Sequence, residues 1–340
     1  MSFPYEVRAV EEGLGRRLLR DFSGERTGFV QVGPARWLLP SKYERQAAGY
    51  RALPLRPDDV WVVTFPRSGT TCTQELAWLV DHDLDFDTAR RVPLGERCPF
   101  LEFSCLLDRE VKREVLAQNT DDARACAALL DEWDTPGYKL AALRDSPRHF
   151  KTHLPLSLLP PALLDTCKVL YVARNPKDVA VSYYHHNRLL TVQGYQGDFP
   201  AYWEYFQQDL LIGCPYWTHL AEAWENRNHP NMLFLFYEDI SKDMEGSIAK
   251  VSDFLGKRLS PRLVAQLANH LHIDNFRNNP SVTAVFEIRG LVRQGEQGFI
   301  RNGKVGGNDG YFTPELNARA NRWIRKNMLE TGIQFPHVTL

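Results

Sequence analysis

Four short segments set the rhythm of the chain. Val60-Trp61-Val62-Val63-Thr64-Phe65 is β-branched and apolar without alternation, as a strand buried on both faces requires. Phe150 to Leu154, Val169 to Val172 and Met232 to Phe236 repeat the pattern. Helical spacing fills the intervals. Leu76, Leu79 and Val80 recur after Thr70, a second stretch runs from Lys177 to Arg188, and Ile248, Val251, Phe254 and Leu255 share a stripe within Lys242 to Leu255. Strands alternating with helices predict an α/β fold, a single domain with a central parallel sheet flanked by helices, expected over 58–340. Residues 1–57 lack steady periodicity, close on Pro54 and Pro57, and read as an N-terminal arm packed on that domain. The stretch from Cys98 to Glu132, helices and loops between the first two strands, is placed to cover a pocket.

Composition narrows the function classes. No apolar run approaches the ~18 residues a membrane span needs, so no membrane contact is expected. A formal net charge of −1 argues against general nucleic-acid binding but leaves room for a locally basic pocket. The six cysteines, Cys72, Cys98, Cys105, Cys126, Cys167 and Cys214, show no CxxC and no metal-type spacing, so reduced thiols and no metal are expected. The N-terminus carries charges from Glu6 onward and no apolar signal stretch, which predicts a cytoplasmic protein.

Each predicted strand ends in a group that chemistry can use: Arg67 after the first, Lys151 and His153 in the second, Arg174 after the third, Tyr237 after the fourth. Open α/β sheets bind ligands beyond the carboxyl ends of their strands. In the first turn, Arg67-Ser68-Gly69-Thr70-Thr71 leads into a helix start whose N–H groups and hydroxyls suit a phosphate. It lacks a Walker lysine after Gly69, and an ordinary Ser/Thr helix cap explains it equally. Lys151 and His153 share one strand face, where a cation steadies an anion and an imidazole removes a proton; a packed strand-end histidine is the bland alternative. Asn175 and Pro176 start a helix on which Ser182 and Arg174 reach toward one side. Gly295 to Gly307 holds five glycines with Arg301 and Lys304, a composition suited to anion binding or to a solvated loop.

Taken together, Thr64 to Thr71, Phe150 to Pro155, Arg174 to His185, Leu235 to Ile240, Phe276 to Pro280 and Phe299 to Gly303 resemble the cytosolic sulfotransferase family, most closely its arthropod, retinol-dehydratase-like branch. The likeness runs from about Asp58 to the C-terminus. It implies transfer of a sulfuryl group from PAPS (3′-phosphoadenosine-5′-phosphosulfate) to a small-molecule hydroxyl or amine, leaving PAP. By that resemblance Arg67, Ser68, Gly69, Thr70, Thr71 and Cys72 form a P-loop-like phosphosulfate-binding loop. Arg174 and Ser182 hold the 3′-phosphate with Arg301, Asn302 and Gly303, and Tyr237 sits near the adenosine. His153 matches the general base and Lys151 the lysine on the sulfuryl oxygens, with Arg67 and Ser182 completing the catalytic set. Phe100 and Phe103 resemble an aromatic acceptor wall and His186 a more polar substitute for one; core packing explains them as well.

Departures accompany the resemblance. Arg67 stands for the usual lysine, Cys72 and Ile273 for the aromatics on either side of adenine, and Asn302 for a common lysine. Stacking is worth ~1–3 kcal/mol per base, so donor affinity is expected to fall. The family's dimer segment lands on Asp309, Thr313, Pro314 and Ala318, keeping only Thr313, so a monomer or a non-standard dimer is expected. Phenols, with an unperturbed pKa of ~10, are the first acceptors expected, then catechol-like amines and terpenoid or steroid alcohols. A P-loop kinase and a binding protein for a small apolar ligand, with little catalysis, are the rival readings.

Overall fold

In the computed structural model, which describes residues 3–301, 303, 305–308 and 310–337, the chain opens with a three-stranded antiparallel sheet. Its strands are β1 (Val7–Ala9), β2 (Phe29–Val32) and β3 (Trp37–Pro40), with β2 in the centre. Strands of three or four residues are too short for alternation to register in a sequence, which is why 1–57 reads as aperiodic. Helices α1 (Glu12–Asp21) and α2 (Tyr43–Arg51) accompany them. Val32, Trp37, Tyr43 and Tyr50 join the same buried cluster as Trp61 and Phe150.

The four predicted strand segments form β4 (Val60–Thr64), β5 (His149–Thr152), β6 (Lys168–Ala173) and β7 (Met232–Phe236), all parallel, in the order β5-β4-β6-β7. Alternate residues feed two cores. Trp61, Val63, Phe150, Val169 and Tyr171 face one cluster; Val60, Val62, Leu170, Val172 and Leu235 face the other. Burial on both faces explains the absence of polar alternation.

Register aligns the strand ends. Val63 pairs with Thr152 and with Tyr171, and Ala173 pairs with Phe236, so the residues just beyond these positions emerge along one edge. β4 runs through the Pro66 turn into α3 (Thr70–Asp81). The predicted helix after β6 spans Pro176–Leu189, with Asn175 as N-cap and Pro176 in its first turn. The predicted Lys242–Leu255 helix divides at Asp243, which caps Met244–Phe254 after a short helix from Tyr237 to Lys242. β5 stops at Thr152 because the His153 side chain turns back onto the Thr64 carbonyl.

Buried ion pairs fix the opposite ends. Arg148, ahead of β5, donates to both carboxylate oxygens of Asp59, ahead of β4, at 2.7 and 2.5 Å, and both side chains are essentially inaccessible. Replacing Arg148 by Met strands a buried carboxylate, so chemical denaturation is expected to show a loss of about 3–5 kcal/mol. A loss below about 1 kcal/mol, the range of an exposed pair, would contradict this.

Candidate active site

The turn after β4 places Arg67 in the left-handed region at φ 69° and Gly69 at φ 103°. Gly69 is the N-cap of α3 and supplies no capping side chain, so among the described residues no side chain caps the first-turn N–H groups of α3. The Ser/Thr cap considered for this turn is therefore not what forms. Thr70 Oγ1 instead pairs with Thr64 Oγ1 at 2.7 Å, and Ser68 Oγ is buried without a hydrogen-bond partner. A Cβ on Gly69 would lie 2.6 Å from the Tyr237 ring, so the turn passes directly beneath that ring.

Cations gather over this turn. Arg67 donates to Ser182 Oγ at 3.1 Å and to the Phe299 carbonyl at 2.7 Å, with its guanidinium over the Phe299 ring. Arg174 donates to the Arg67 carbonyl at 3.1 Å and lies over the Tyr237 ring. Burial, with the positive charges of Arg174 and Arg301, pushes the Arg67 guanidinium down to about 10. Arg301 is likewise pushed down, by burial first and by Arg174. Guanidiniums that oppose one another in a half-buried turn favour an anion between them.

Pro99 to Leu101 runs alongside β5, with Lys151 N donating to the Pro99 carbonyl and Leu101 N to the Lys151 carbonyl, both at 2.9 Å. This brings Phe100 and Glu102 to the strand end. Lys151 Nζ stands 4.2 Å from the centroid of the Phe100 ring, and His153 meets the same ring edge-on. His153 Nδ1 lies 2.8 Å from the Thr64 carbonyl, which only accepts, so Nδ1 carries the proton and Nε2 keeps its lone pair. Burial and the Lys151 charge hold this imidazole well below its ordinary pKa, in the neutral form. Burial and Arg67 lower Lys151 to about 8 against an opposing pull from Glu102.

Glu102 is a site residue that the sequence did not single out. Its carboxylate accepts from His153 N at 2.6 Å and Thr152 Oγ1 at 2.8 Å, and burial raises it to about 7. An acid inside the apolar stretch Pro99-Phe100-Leu101-Glu102-Phe103 was the available signal. Asp178 was missed too: it accepts from Gly306 N and Asn308 Nδ2, both at 2.8 Å, tying the glycine-rich loop to the helix after β6.

One cavity of about 640 Å³ joins these groups. Arg67, Gly69, Thr70, Thr71 and Cys72 line it with Arg174, Ser182, Tyr237, Arg301 and Gly303, while Ser68 lies buried behind the turn. Ile273 faces it against Gly303, and Asn302 and Asp309 lie outside the described residues. Beyond Lys151 and His153 the cavity continues between Phe100, Phe103, Trp133, Phe286 and Phe299, the last two stacked at 4.2 Å. His186 is also there, 5.6 Å from the Phe299 ring, with Nδ1 buried and unpartnered. Thr313 N-caps the final helix, Pro314–Thr331, a local reason for its presence.

A family model described as a sulfotransferase domain matches residues 57–332. Luciferin sulfotransferase of Photinus pyralis is 32% identical over 335 residues, covering 95% of this chain and 86% of that protein. Two solved structures of retinol dehydratase, one with androsterone and inactive cofactor PAP and one with retinol and PAP, are each 40% identical with a TM-score of 0.92. Each comparison covers 99% of this chain and 100% of the other.

The Gly69 contact makes a direct expectation. Gly69→Ala combines a positive φ with a Cβ driven into the Tyr237 ring, so it should cost roughly 1–3 kcal/mol of stability and weaken PAP binding. Calorimetry showing wild-type PAP affinity in a folded variant would contradict the close approach.

Proposed function

As a member of the sulfotransferase family, this chain is a PAPS-dependent sulfotransferase releasing PAP, and on that premise we propose that it transfers the sulfuryl group to the hydroxyl of a flat, apolar small molecule, with His153 as general base. The donor site fits an adenosine carrying two phosphate positions. The α3 N-terminus and Arg67 suit the 5′-phosphosulfate; Arg174, Ser182 and Arg301 suit the 3′-phosphate, with Gly303 bringing backbone close. Tyr237 would lie near the adenosine. Ser68, Thr70 and Thr71 would complete the loop, Cys72 and Ile273 would flank the base, and Asn302 is carried from sequence alone.

When bound, the donor supplies an activated sulfuryl group whose phosphate oxygen leaves with growing negative charge. Arg67 and the first-turn N–H groups would stabilise that charge, and Lys151 the sulfuryl oxygens in transfer. His153 would take the acceptor proton on Nε2. The Thr64 carbonyl, by holding Nδ1–H, is the observation that carries this assignment. Phe100, Phe103 and His186 would contact the acceptor, the unpartnered His186 Nδ1 meeting a second polar group on it. Phenols, catechol-like amines and terpenoid or steroid alcohols all meet these demands; the aromatic chamber favours the apolar alcohols and phenols. The binding-protein reading keeps only Cys72 and Ile273 in its favour.

Similarity to retinol dehydratase favours a second outcome in the same site, in which an allylic sulfate ester loses sulfate and a proton to give an alkene. Product analysis separates the two: a stable sulfate ester, or an alkene with PAP and inorganic sulfate. For oligomeric state we propose a monomer, or a dimer through a surface other than Asp309 to Ala318.

Incubation with sulfur-labelled PAPS and a panel of apolar alcohols and phenols is expected to yield PAP only when acceptor is present. His153→Ala should slow transfer by about 10²–10⁴-fold while PAP binding stays near wild type; normal turnover would refute the base assignment. An anion raises the Lys151 pKa from its ligand-free value of about 8, so binding takes up a proton. PAP, whose phosphates are fully ionised from about pH 7, is therefore expected to hold its affinity from there up to that value and to lose it above. Lys151→Arg, which stays charged, should flatten the profile; an unchanged fall in that variant would place the titrating group elsewhere.

A further inference from the structure

At the far end of α3 and β5 from this site, Asp81, His82 and His149 converge so that one donor atom from each lies within 4.8 Å of the other two. His149 begins β5 and its side chain is 1% exposed. Its Nε2 is buried without a hydrogen-bond partner, although Asp81 Oδ2 stands 3.2 Å away, outside hydrogen-bond alignment. An unpartnered buried imidazole nitrogen facing a carboxylate is an arrangement that a cation between them relieves. His82 is held for the same purpose. Its Nδ1 donates to the Trp78 carbonyl at 2.9 Å, leaving the Nε2 lone pair, and its ring stacks on Trp78 at 4.1 Å. A histidine oriented by a carbonyl on its other nitrogen has the tautomer and posture of a metal ligand.

We propose that Asp81, His82 and His149 form a binding site for a divalent transition-metal ion, zinc foremost, that joins the C-terminal end of α3 to the start of β5. Two imidazoles and a carboxylate are a zinc-type donor set, with a water completing the tetrahedron. Bonds of about 2.0–2.2 Å require the donors to draw closer than they stand, and Asp81, only partly buried, already reaches to within 3.2 Å of His149 Nε2. The nearby Lys257 ammonium is paired with Asp83 at 3.0 Å. The ion would be structural: α3 carries the Gly69 turn at its other end, and β5 leads to Lys151 and His153. Spacing along the chain hides this site, because the whole segment between α3 and β5 separates His149 from Asp81 and His82.

The test is titration of chelator-treated protein with zinc by calorimetry, and with cobalt(II) by absorption. Expected are one saturable zinc per chain, the visible bands of a four-coordinate cobalt site, and a thermal midpoint that rises with zinc. His82→Gln and Asp81→Asn, each at a partly exposed position, should weaken zinc binding by about 10–100-fold and remove the cobalt bands while PAP still binds. Absence of saturable binding in the wild type would overturn the proposal. So would zinc binding unchanged in both variants, which would put the ion at other surface histidines.

Discussion

Mutual repulsion among buried cations is the constraint on which this site depends. Arg67, Arg174, Arg301 and Lys151 meet at the carboxyl edge of a four-stranded sheet, where burial removes the water that would otherwise screen them. The fold tolerates this because the protein supplies partial compensation: carbonyls for the guanidiniums, aromatic faces at Phe299, Tyr237 and Phe100, and Glu102 for Lys151. Asp178, 3.9 Å from Arg174, adds one carboxylate, which with Glu102 does not balance four cations. A ligand with phosphate and sulfate charges does, and that is the chemistry of the family to which the chain belongs.

Positioning comes from the same elements that make the core. The carbonyl at the end of β4 fixes the His153 tautomer, and Glu102 fixes the His153 backbone. His219 reinforces that backbone from the other side, donating Nε2–H to the His153 carbonyl at 3.0 Å, while Tyr171 bonds its Nδ1 at 2.7 Å. The imidazole is thus braced by four parts of the chain that are distant in sequence.

What could be read before the structure follows from locality. Buried parallel strands are continuous apolar runs, and the groups just beyond them must lie on one edge, so β4 to β7 and the residues Arg67, Lys151, His153, Arg174 and Tyr237 were legible as a set. The strands β1 to β3 were not: three or four residues carry no period, and β5, as short, was legible only through the Lys151 and His153 it carries. Glu102, Asp178 and His219 escaped because each acts through a partner far along the chain, and the cap of α3 because a missing capping side chain leaves no residue to notice. The identity of the family lay in the order of several motifs; the chamber proposed for the acceptor is assembled from five separate segments, whose side chains read equally well as core.

On the proposed reading, one doubly phosphorylated adenosine neutralises this edge. Diffraction from crystals grown with PAP tests it most directly. Density for the 5′-phosphate against the Arg67 to Thr71 turn and for the 3′-phosphate between Arg174 and Ser182 is the result predicted. A nucleotide bound elsewhere, or none at saturating concentration, would contradict it.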